Sequence, residues 1–289
     1  MIDLHTHSNA SDGEYSPASL IREAKKRGIS AIALTDHDTL DGLESAENEA
    51  KAVGIRFIHG IEINIDRSGE GIPNASGGEF HLLGLGIKSP SPAFLDAVAR
   101  LSRLREERNR EILNRMHELG IEADWDEVFA LSGGVSVGRL HFASLLIRKK
   151  IVKNVDQAFA RYLGGGKPLY VPKSSLAFSE AAALIRESGG IPVLAHPMSM
   201  YIAWGRLGDF VKSLKDRGLM GIEAWHPTAK ERACLRLEEL GRSLGLYITE
   251  GSDFHGNTRP DRELGRSNRG RKIAESVLEA IPELGQAVL

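Results

Sequence analysis

Strand-like and helix-like segments alternate along most of this chain, and this alternation limits the possible folds more than any other feature. Ser30–Thr35 is short and uniformly apolar, which is typical of a parallel strand buried on both faces. Ser16 followed by Pro17 is a favoured helix start, with an N-cap residue before a proline at the first helical position. The same rhythm returns over residues 179–249. The sequence therefore predicts an α/β fold with a mainly parallel sheet, either open or closed into a barrel.

A run of helical patterns interrupts this alternation between about residues 91 and 165. A long, charged pattern covers Phe94–Leu119, and shorter patterns lead to the glycines at 164–166. The glycine run does not match a phosphate-binding loop, because Pro168 stands where the motif requires Ser or Thr. We therefore expect a barrel domain built from residues 1–90 and 166–289, and a small helical insertion at residues 91–165 that caps the substrate.

Histidines and acidic residues recur where the predicted strands end. His5 and His7 are two residues apart, so on a strand their side chains would face the same side. Parallel α/β folds gather their active sites at the carboxyl ends of their strands. The potential ligands at or near such ends are His5, His7, Asp12, His37, Glu62, His81, His196, Asp253 and His255. Any one of them could cap a loop or lie on an exposed face, but together they predict a metal site.

The motifs that carry these residues resemble those of the PHP (polymerase and histidinol phosphatase) phosphoesterases, and they occur in the same order. The matching segments are His5-Thr6-His7, Asp12, Thr35-Asp36-His37-Asp38, Gly60-Ile61-Glu62, Phe80-His81, Ala195-His196-Pro197 and Ser252-Asp253-Phe254-His255. The resemblance covers about residues 1–88 and 166–255. It implies a distorted (β/α)7 barrel, interrupted here by the helical insertion.

The resemblance also implies how the residues share their metal ions. The implied sets are His5, His7, Glu62 and Asp253 for a first ion, Glu62, His81 and His196 for a second, and Asp12, His37 and His255 for a third. Glu62, Asp253 and His196 are the expected catalytic residues. Two or three divalent ions are expected, and a mixed shell of imidazoles and carboxylates suits Mn²⁺, our first expectation, as well as Zn²⁺ or Fe²⁺. Two such ions can hold a bridging hydroxide for attack at phosphorus.

Arg139 and His141 in the insertion indicate the substrate. Their segment, Gly138–Ala143, resembles the Arg-x-His-Phe-Ala segment of a PHP subfamily that removes the 3′-phosphate from nucleoside 3′,5′-bisphosphates and in some members degrades short RNA from the 5′ end. An arginine and a histidine two residues apart at a helix start can hold a second phosphate remote from the metals. On the residues alone, an ion-paired arginine and an interface histidine are the more ordinary interpretation. His226, at a predicted strand end, is either a further phosphate contact or a structural residue.

These observations predict a metal-dependent phosphoric ester hydrolase whose substrate is a nucleotide or a short oligonucleotide. One alternative is histidinol-phosphate phosphatase or another small phosphomonoesterase. The insertion argues against it, because a small monophosphate needs no second phosphate clamp. A different alternative is a non-catalytic PHP module of a polymerase, which should come with an attached polymerase and eroded ligands.

Composition limits the binding partners and the cellular compartment that we expect for this chain. A formal net charge of −2 offers no general attraction to nucleic acid, and the local basic cluster between Arg259 and Arg271 is the exception. Cys234 is the sole cysteine, which suits a reducing compartment, and its apolar helical neighbours indicate a core position. No secretory leader is apparent at the start and no apolar run is long enough to span a bilayer. We therefore expect a cytoplasmic protein with no membrane association and no stable protein partner.

Overall fold

The computed structural model describes residues 1–68, 70, 78–132, 136–173 and 175–285. Within them, seven strands form one sheet in which spatial order follows chain order. Their bounds are β1 Ile2–Asp3, β2 Ala31–Leu34, β3 Arg56–Asn64, β4 His81–Leu85, β5 Ile191–Leu194, β6 Gly221–Trp225 and β7 Tyr247–Glu250. No helix in these ranges is long and apolar enough to span a membrane.

The sheet is parallel except around β4. Strands β1, β2 and β3 run parallel, as do β5, β6 and β7, whereas β4 runs antiparallel to both β3 and β5. This reversal matters for the position of His81. Because β4 runs the other way, its first residue lies at the end of the sheet where the parallel strands have their carboxyl ends.

Backbone contacts between the two ends of the sheet close it into a barrel. Thr6 forms a parallel bridge with Phe254, the His7 amide donates to the Phe254 carbonyl at 3.0 Å, and the Asp253 amide donates to the His5 carbonyl at 2.8 Å. The first strand covers only Ile2–Asp3, because the chain leaves β1 to pair with the segment after β7. The expected distorted barrel is confirmed.

Helices surround the barrel and form a separate group between β4 and β5. Their bounds are α1 Pro17–Lys26, α2 Leu43–Val53, α3 Pro92–Glu118, α4 Trp125–Leu131, α5 Arg139–Arg148, α6 Val155–Ala158, a π-helical turn Phe159–Leu163, α7 Phe178–Glu187, α8 Trp204–Asp216, α9 Glu231–Ser243, α10 Ser276–Glu279 and α11 Pro282–Gly285. Amphipathic helices such as α1 bury one face on the strands, as Leu20 and Ile21 do against Leu34. Cys234 of α9 is fully buried in the barrel core.

The long helix α3 belongs to two hydrophobic cores. It starts where the expected insertion starts, with Ser91 accepting a hydrogen bond from the Phe94 amide at 3.2 Å. Its first half places Phe94 and Leu101 in the barrel core. Its second half places Ile112 and Met116 in a separate core with the helices that follow it. The change of packing partner therefore occurs inside α3 and not at residue 91.

Candidate metal centre and active-site cleft

Turns and strand ends at one mouth of the barrel bring the expected ligands together. His37, His196 and Asp253 each follow the last residue of a parallel strand by two or three positions. Glu62 lies within β3, and His81 opens the antiparallel β4. The structure places eight of the nine expected ligands, all but His196, in three close sets. Each set has donor atoms within 4.8 Å of one another: His7, Asp12, His37 and His255; His5, His7, Glu62 and Asp253; and His37, Glu62 and His81.

Glu62 lies at the centre of this cluster and is only 1% exposed. Imidazole nitrogens surround both of its oxygens: His5 Nε2 at 3.4 Å, His7 Nε2 at 3.3 Å and His37 Nδ1 at 3.0 Å from Oε2, and His81 Nδ1 at 3.0 Å and His196 Nε2 at 2.8 Å from Oε1. Burial alone would raise the pKa of Glu62, but the charges of His37 and His81 outweigh it and hold the pKa well below its usual value. The carboxylate is therefore ionised, as a metal ligand must be.

The cluster has the unsatisfied atoms that a metal site requires. Glu62 Oε2, His7 Nδ1 and His81 Nε2 are buried and make no hydrogen bond. Buried polar atoms without partners are rare in folded proteins, because each costs its desolvation energy. Lone pairs from histidines and carboxylates that converge without hydrogen bonds are the donor set of a divalent transition-metal ion. The residues present therefore fit metal ions.

The sets differ in detail from those that the resemblance implies. The first set matches the expected His5, His7, Glu62 and Asp253. His7 joins the expected third set, and His37 joins Glu62 and His81 in the second. His196 Nε2 lies within 3.3 Å of His81 Nδ1 as well as beside Glu62. All the expected ligands thus lie at one site, and some of them belong to two sets.

Asp253 is held from two sides. Its Oδ1 lies 3.1 Å from His7 Nε2, whereas its Oδ2 contacts His226 Nε2 at 3.1 Å and also accepts a hydrogen bond from Arg262. Burial alone would raise the pKa of Asp253, but the charges of His5 and Arg262 dominate and lower it well below its usual value. The second carboxylate oxygen is thereby fixed while the first faces the cluster.

His226 lies behind the cleft. It is 3% exposed, and its ring contacts Asp253 Oδ2 and, through Nδ1, Thr228 Oγ1 at 2.8 Å. It does not line the cleft above the cluster. Of the two roles open from the sequence, the structure therefore favours the structural one over the expected phosphate contact, because the imidazole is enclosed at the end of β6.

A cleft of about 320 Å³ opens directly above the cluster. Basic side chains form much of its wall: Arg105, Arg108, Arg139, Lys173, Arg259 and Arg262. Leu140, Val155 and Phe159 add an apolar patch on the side of the helices that follow α3. A cleft with metal-ligating groups at its floor and cations on its walls suits a ligand with more than one negatively charged group.

Two of these cations, the buried Arg108 and the half-buried Arg139, have no carboxylate partner in the described chain. Arg108 is 9% exposed and hydrogen-bonds only to its neighbour Asn109, at 3.0 Å. Burial lowers the pKa of Arg108, with further lowering by the charges of Arg105 and Arg139. Burial also lowers the pKa of Arg139, whose guanidinium lies 5.6 Å from the Phe159 ring centroid. Unpaired cations that face a cleft favour an anionic ligand.

His141 takes a different place from the one expected beside Arg139. Its Nδ1 accepts a hydrogen bond from the Gly138 amide at 2.9 Å and so caps the start of α5. It does not line the cleft, whereas Arg139 does. The structure thus places Arg139 in the cleft wall together with Arg108 and Lys173, whereas His141 lies at the start of α5 outside the lining.

Three important residues were not singled out from the sequence as site residues. They are Arg108, Lys173 and Glu223. The (i, i+3) spacing of Arg105 and Arg108 places them on one face of α3, and this is the signal that could have found them. Glu223, a lone acid among apolar residues in the buried strand β6, carried an equally readable signal.

Comparisons with known proteins agree with this site. The profile of the PHP domain matches residues 3–164. The chain is 35% identical over 261 residues to a 5′-3′ exoribonuclease of Haemophilus influenzae, covering 88% of this chain and 89% of that protein. It is 30% identical over 267 residues to a 3′,5′-nucleoside bisphosphate phosphatase of Chromobacterium violaceum, covering 92% and 91%.

Solved structures agree as well. A protein of Bifidobacterium adolescentis, described as a candidate metal-dependent phosphoesterase, superposes with a TM-score of 0.81 at 25% identity. The superposition covers 98% of this chain and 96% of that one. The profile match spans more than half of the sequence, and the two relatives align along most of their lengths. The chain belongs to the PHP domain family.

Proposed function

We propose that this chain is a metal-dependent phosphoesterase that removes the 3′-phosphate from nucleoside 3′,5′-bisphosphates. The observation that carries the proposal is one cleft with a histidine–carboxylate cluster at its floor and two cations in its wall, Arg108 and Arg139, that have no carboxylate partner in the described chain. The cluster suits the phosphate that reacts, and Arg108 and Arg139 suit a second phosphate. The names of the Haemophilus and Chromobacterium relatives support the same substrate class.

Two or three divalent ions would occupy the cluster, with Mn²⁺ as the first candidate. The proposed holders are the nine expected residues, with Glu62 shared between two ions. Bound divalent ions would supply an activated water and would neutralise charge on the reacting phosphate. Oxygen and imidazole ligands in one shell suit Mn²⁺, Fe²⁺ or Zn²⁺ better than Mg²⁺, which prefers oxygen ligands alone.

The protein groups around the cluster prepare the site for an anionic substrate. His226 and Arg262 hold one oxygen of Asp253, so that the other stays directed at His7. Arg139 and Arg108 add positive charge on the wall above the cluster. Binding energy from the phosphate that does not react can then be used to position the phosphate that does.

Degradation of short RNA from the 5′ end is a second candidate. Arg259 and Arg262 line the cleft on the side opposite α5, in the basic stretch that the sequence singled out. A 5′-phosphorylated oligonucleotide presents the same two charged groups around its first nucleotide as a bisphosphate does. The exoribonuclease named among the relatives favours this candidate. Histidinol phosphate, with a single phosphate, would leave the wall cations without a partner.

Phosphate release with added Mn²⁺ tests the proposal. The substrates are adenosine 3′,5′-bisphosphate, adenosine 3′-monophosphate, adenosine 5′-monophosphate, histidinol phosphate and a short 5′-phosphorylated RNA, with Glu62→Gln as the inactive control. We expect the bisphosphate to have the highest kcat/KM and to yield the 5′-monophosphate as product. Equal kcat/KM for the bisphosphate and histidinol phosphate would contradict the proposed substrate class.

A further inference from the structure

Glu223 is a buried carboxylate in the middle of β6 that contacts two of the proposed ligands. It is 1% exposed, and its neighbours in the strand, Ile222 and Ala224, are fully buried. A charge in such a position is costly unless hydrogen bonds compensate for its lost hydration. The hydrogen-bond partners of Glu223 therefore indicate the structural role of its carboxylate.

One oxygen of Glu223 orients the ring of His5. Glu223 Oε1 lies 2.9 Å from His5 Nδ1. With Nδ1 donating to this carboxylate, the lone pair of His5 Nε2 faces the cluster, where it lies 3.4 Å from Glu62 Oε2. A carboxylate behind an imidazole is the usual device by which proteins fix the tautomer and the orientation of a metal ligand.

The other oxygen of Glu223 holds the backbone of His196. Glu223 Oε2 accepts a hydrogen bond from the His196 amide at 2.8 Å. That residue has φ 25° and ψ 65°, a conformation that non-glycine residues rarely adopt and that needs support from its surroundings. The ring of His196 is fixed separately, because its Nδ1 lies 2.7 Å from Ser199 Oγ.

The space around Glu223 permits little movement. A Cβ atom at Gly251 would lie 2.6 Å from Glu223 Oε1 and 2.3 Å from His5 Cβ. Glycine is therefore the residue that this position accepts without a shift of its neighbours. The carboxylate is packed in place between β6, the end of β7 and the segment after β1.

We propose that Glu223 is a positioning residue that sets the geometry of two metal positions at once. It orients the ring of His5 for the ion shared with Asp253, and it holds the backbone of His196 for the ion beside His81. The inference rests on the proposed metal site. Because one carboxylate supports both positions, a change at Glu223 affects both ions. The Ser199 hydroxyl contacts His196 alone among the proposed ligands, so a change there affects one ion.

Titration of the metal-free protein with Mn²⁺ against a competing chelator tests this role. In Glu223→Gln the amide can accept from one of the two donors but presents an NH₂ group to the other. We expect weaker binding of two ions by about 10- to 100-fold, as is typical when a supporting partner of a ligand is removed. Ser199→Ala should weaken one ion. Glu250→Gln, a 3% exposed carboxylate on the adjacent strand that contacts no ligand, should leave both affinities unchanged.

The same samples separate positioning from simple loss of stability. The melting temperature of metal-free Glu223→Gln should stay close to that of metal-free Glu250→Gln, while only the first loses metal affinity. Equal affinities in Glu223→Gln and the wild type, or equal losses in both glutamine variants, would overturn the inference. If Glu223→Gln does not fold, Glu223→Asp keeps the charge but is one methylene too short to reach both partners, and it should show the same double loss. Failure of the wild type to bind Mn²⁺ would instead overturn the proposed function.

Discussion

At the scale of single residues, the cleft separates two kinds of charge. The floor holds ionised carboxylates such as Glu62 and Asp253, whose pKa values lie well below their usual range despite burial. The wall holds Arg108 and Arg139, which have no carboxylate partner among the described residues. We propose that metal ions bind the first group and that a phosphate binds the second. The residue-scale predictions follow from this separation.

Arg139→Ala should reduce kcat/KM for adenosine 3′,5′-bisphosphate by about one to two decades, because a charge-assisted contact is worth about 1.5–3 kcal/mol. Arg108→Ala should behave in the same way. Adenosine 3′-monophosphate, which lacks the second phosphate, should show little change. Arg110→Ala, on the exposed face of α3, is the matched control. Equal losses on both substrates would show that these arginines support the fold or the reacting phosphate.

The alkaline limit of bisphosphate binding should depend on Lys173. Burial lowers the pKa of Lys173, and the opposing charge of Glu79, 3.9 Å away, does not restore it. The ammonium group attracts phosphate below this pKa and loses that ability as the pH rises through it, so KM for the bisphosphate should rise in that range. Lys173→Arg keeps the charge and should move the rise in KM to higher pH. Identical pH profiles of the two proteins would refute this role.

The clustered histidines and carboxylates of the proposed metal site could be predicted from the sequence, but the residues that support them could not. Each ligand belongs to a short motif at a strand end, so local sequence carried the information. Glu223, Arg108 and Lys173 act through burial and through neighbours distant in the chain, and a local pattern identifies neither the neighbours nor the contacts. His141 belongs to a matching motif, and the structure shows in addition that its Nδ1 accepts a hydrogen bond from the Gly138 amide, a contact that the motif does not indicate.

At the scale of elements, α3 joins the barrel to the helices above the cleft. Between its two packing regions, Arg105 donates to the His37 carbonyl at 2.8 Å and to Asp38 Oδ2 at 2.7 Å. Asp38 in turn accepts from the Asn64 amide at 2.9 Å with a backbone φ of 54°. The helix is thus tied directly to the loop that carries a proposed metal ligand. We propose that residues 91–165 cap the substrate through this connection.

Arg105→Ala should lower kcat/KM on monophosphate and bisphosphate substrates alike. The substitution removes hydrogen bonds that hold the His37 loop, an effect of about 1.5–3 kcal/mol for bonds of a charged group. Steady-state kinetics on adenosine 3′-monophosphate and on the bisphosphate give the comparison. A loss confined to the bisphosphate would mean that Arg105 contacts the second phosphate and does not act through His37.

Most elements could be predicted, but the direction of one strand could not. Apolar runs and capping residues mark where strands and helices begin, as at Ser16 and Ser91. They carry no information on whether β4 pairs parallel or antiparallel with β3. The packing of α3 against two hydrophobic cores could not be predicted from the sequence either, because one continuous helical pattern covers both regions.

At the scale of the whole molecule, the barrel closes through the residues that carry the cluster. The pairing of His5 with Asp253 and of Thr6 with Phe254 joins the first and last parts of the sheet next to the proposed ligands. The cluster is therefore a junction between distant parts of the chain. Metal ions bound there should stabilise the entire barrel, since the unfolded chain offers no such preformed site.

Mn²⁺ should raise the melting temperature of the metal-free protein. Each site saturated at about one hundred times its Kd adds about 2.7 kcal/mol to the free energy of unfolding. Glu62→Ala removes a residue of two metal sets and should lose most of this increase. Differential scanning calorimetry with and without chelator measures the effect. An unchanged melting temperature in the wild type across a millimolar Mn²⁺ range would argue against a built metal site.

The central claim is that metal ions at this cluster hydrolyse the 3′-phosphate of a nucleoside 3′,5′-bisphosphate. Its most direct test is phosphate release from adenosine 3′,5′-bisphosphate by chelator-stripped protein, measured as Mn²⁺ is added back and bound metal per chain is counted. We predict that the stripped protein shows no turnover and that activity rises until two or three ions are bound per chain. The product should be adenosine 5′-monophosphate. Full activity of the stripped protein, or no phosphate release at full metal occupancy, would contradict it.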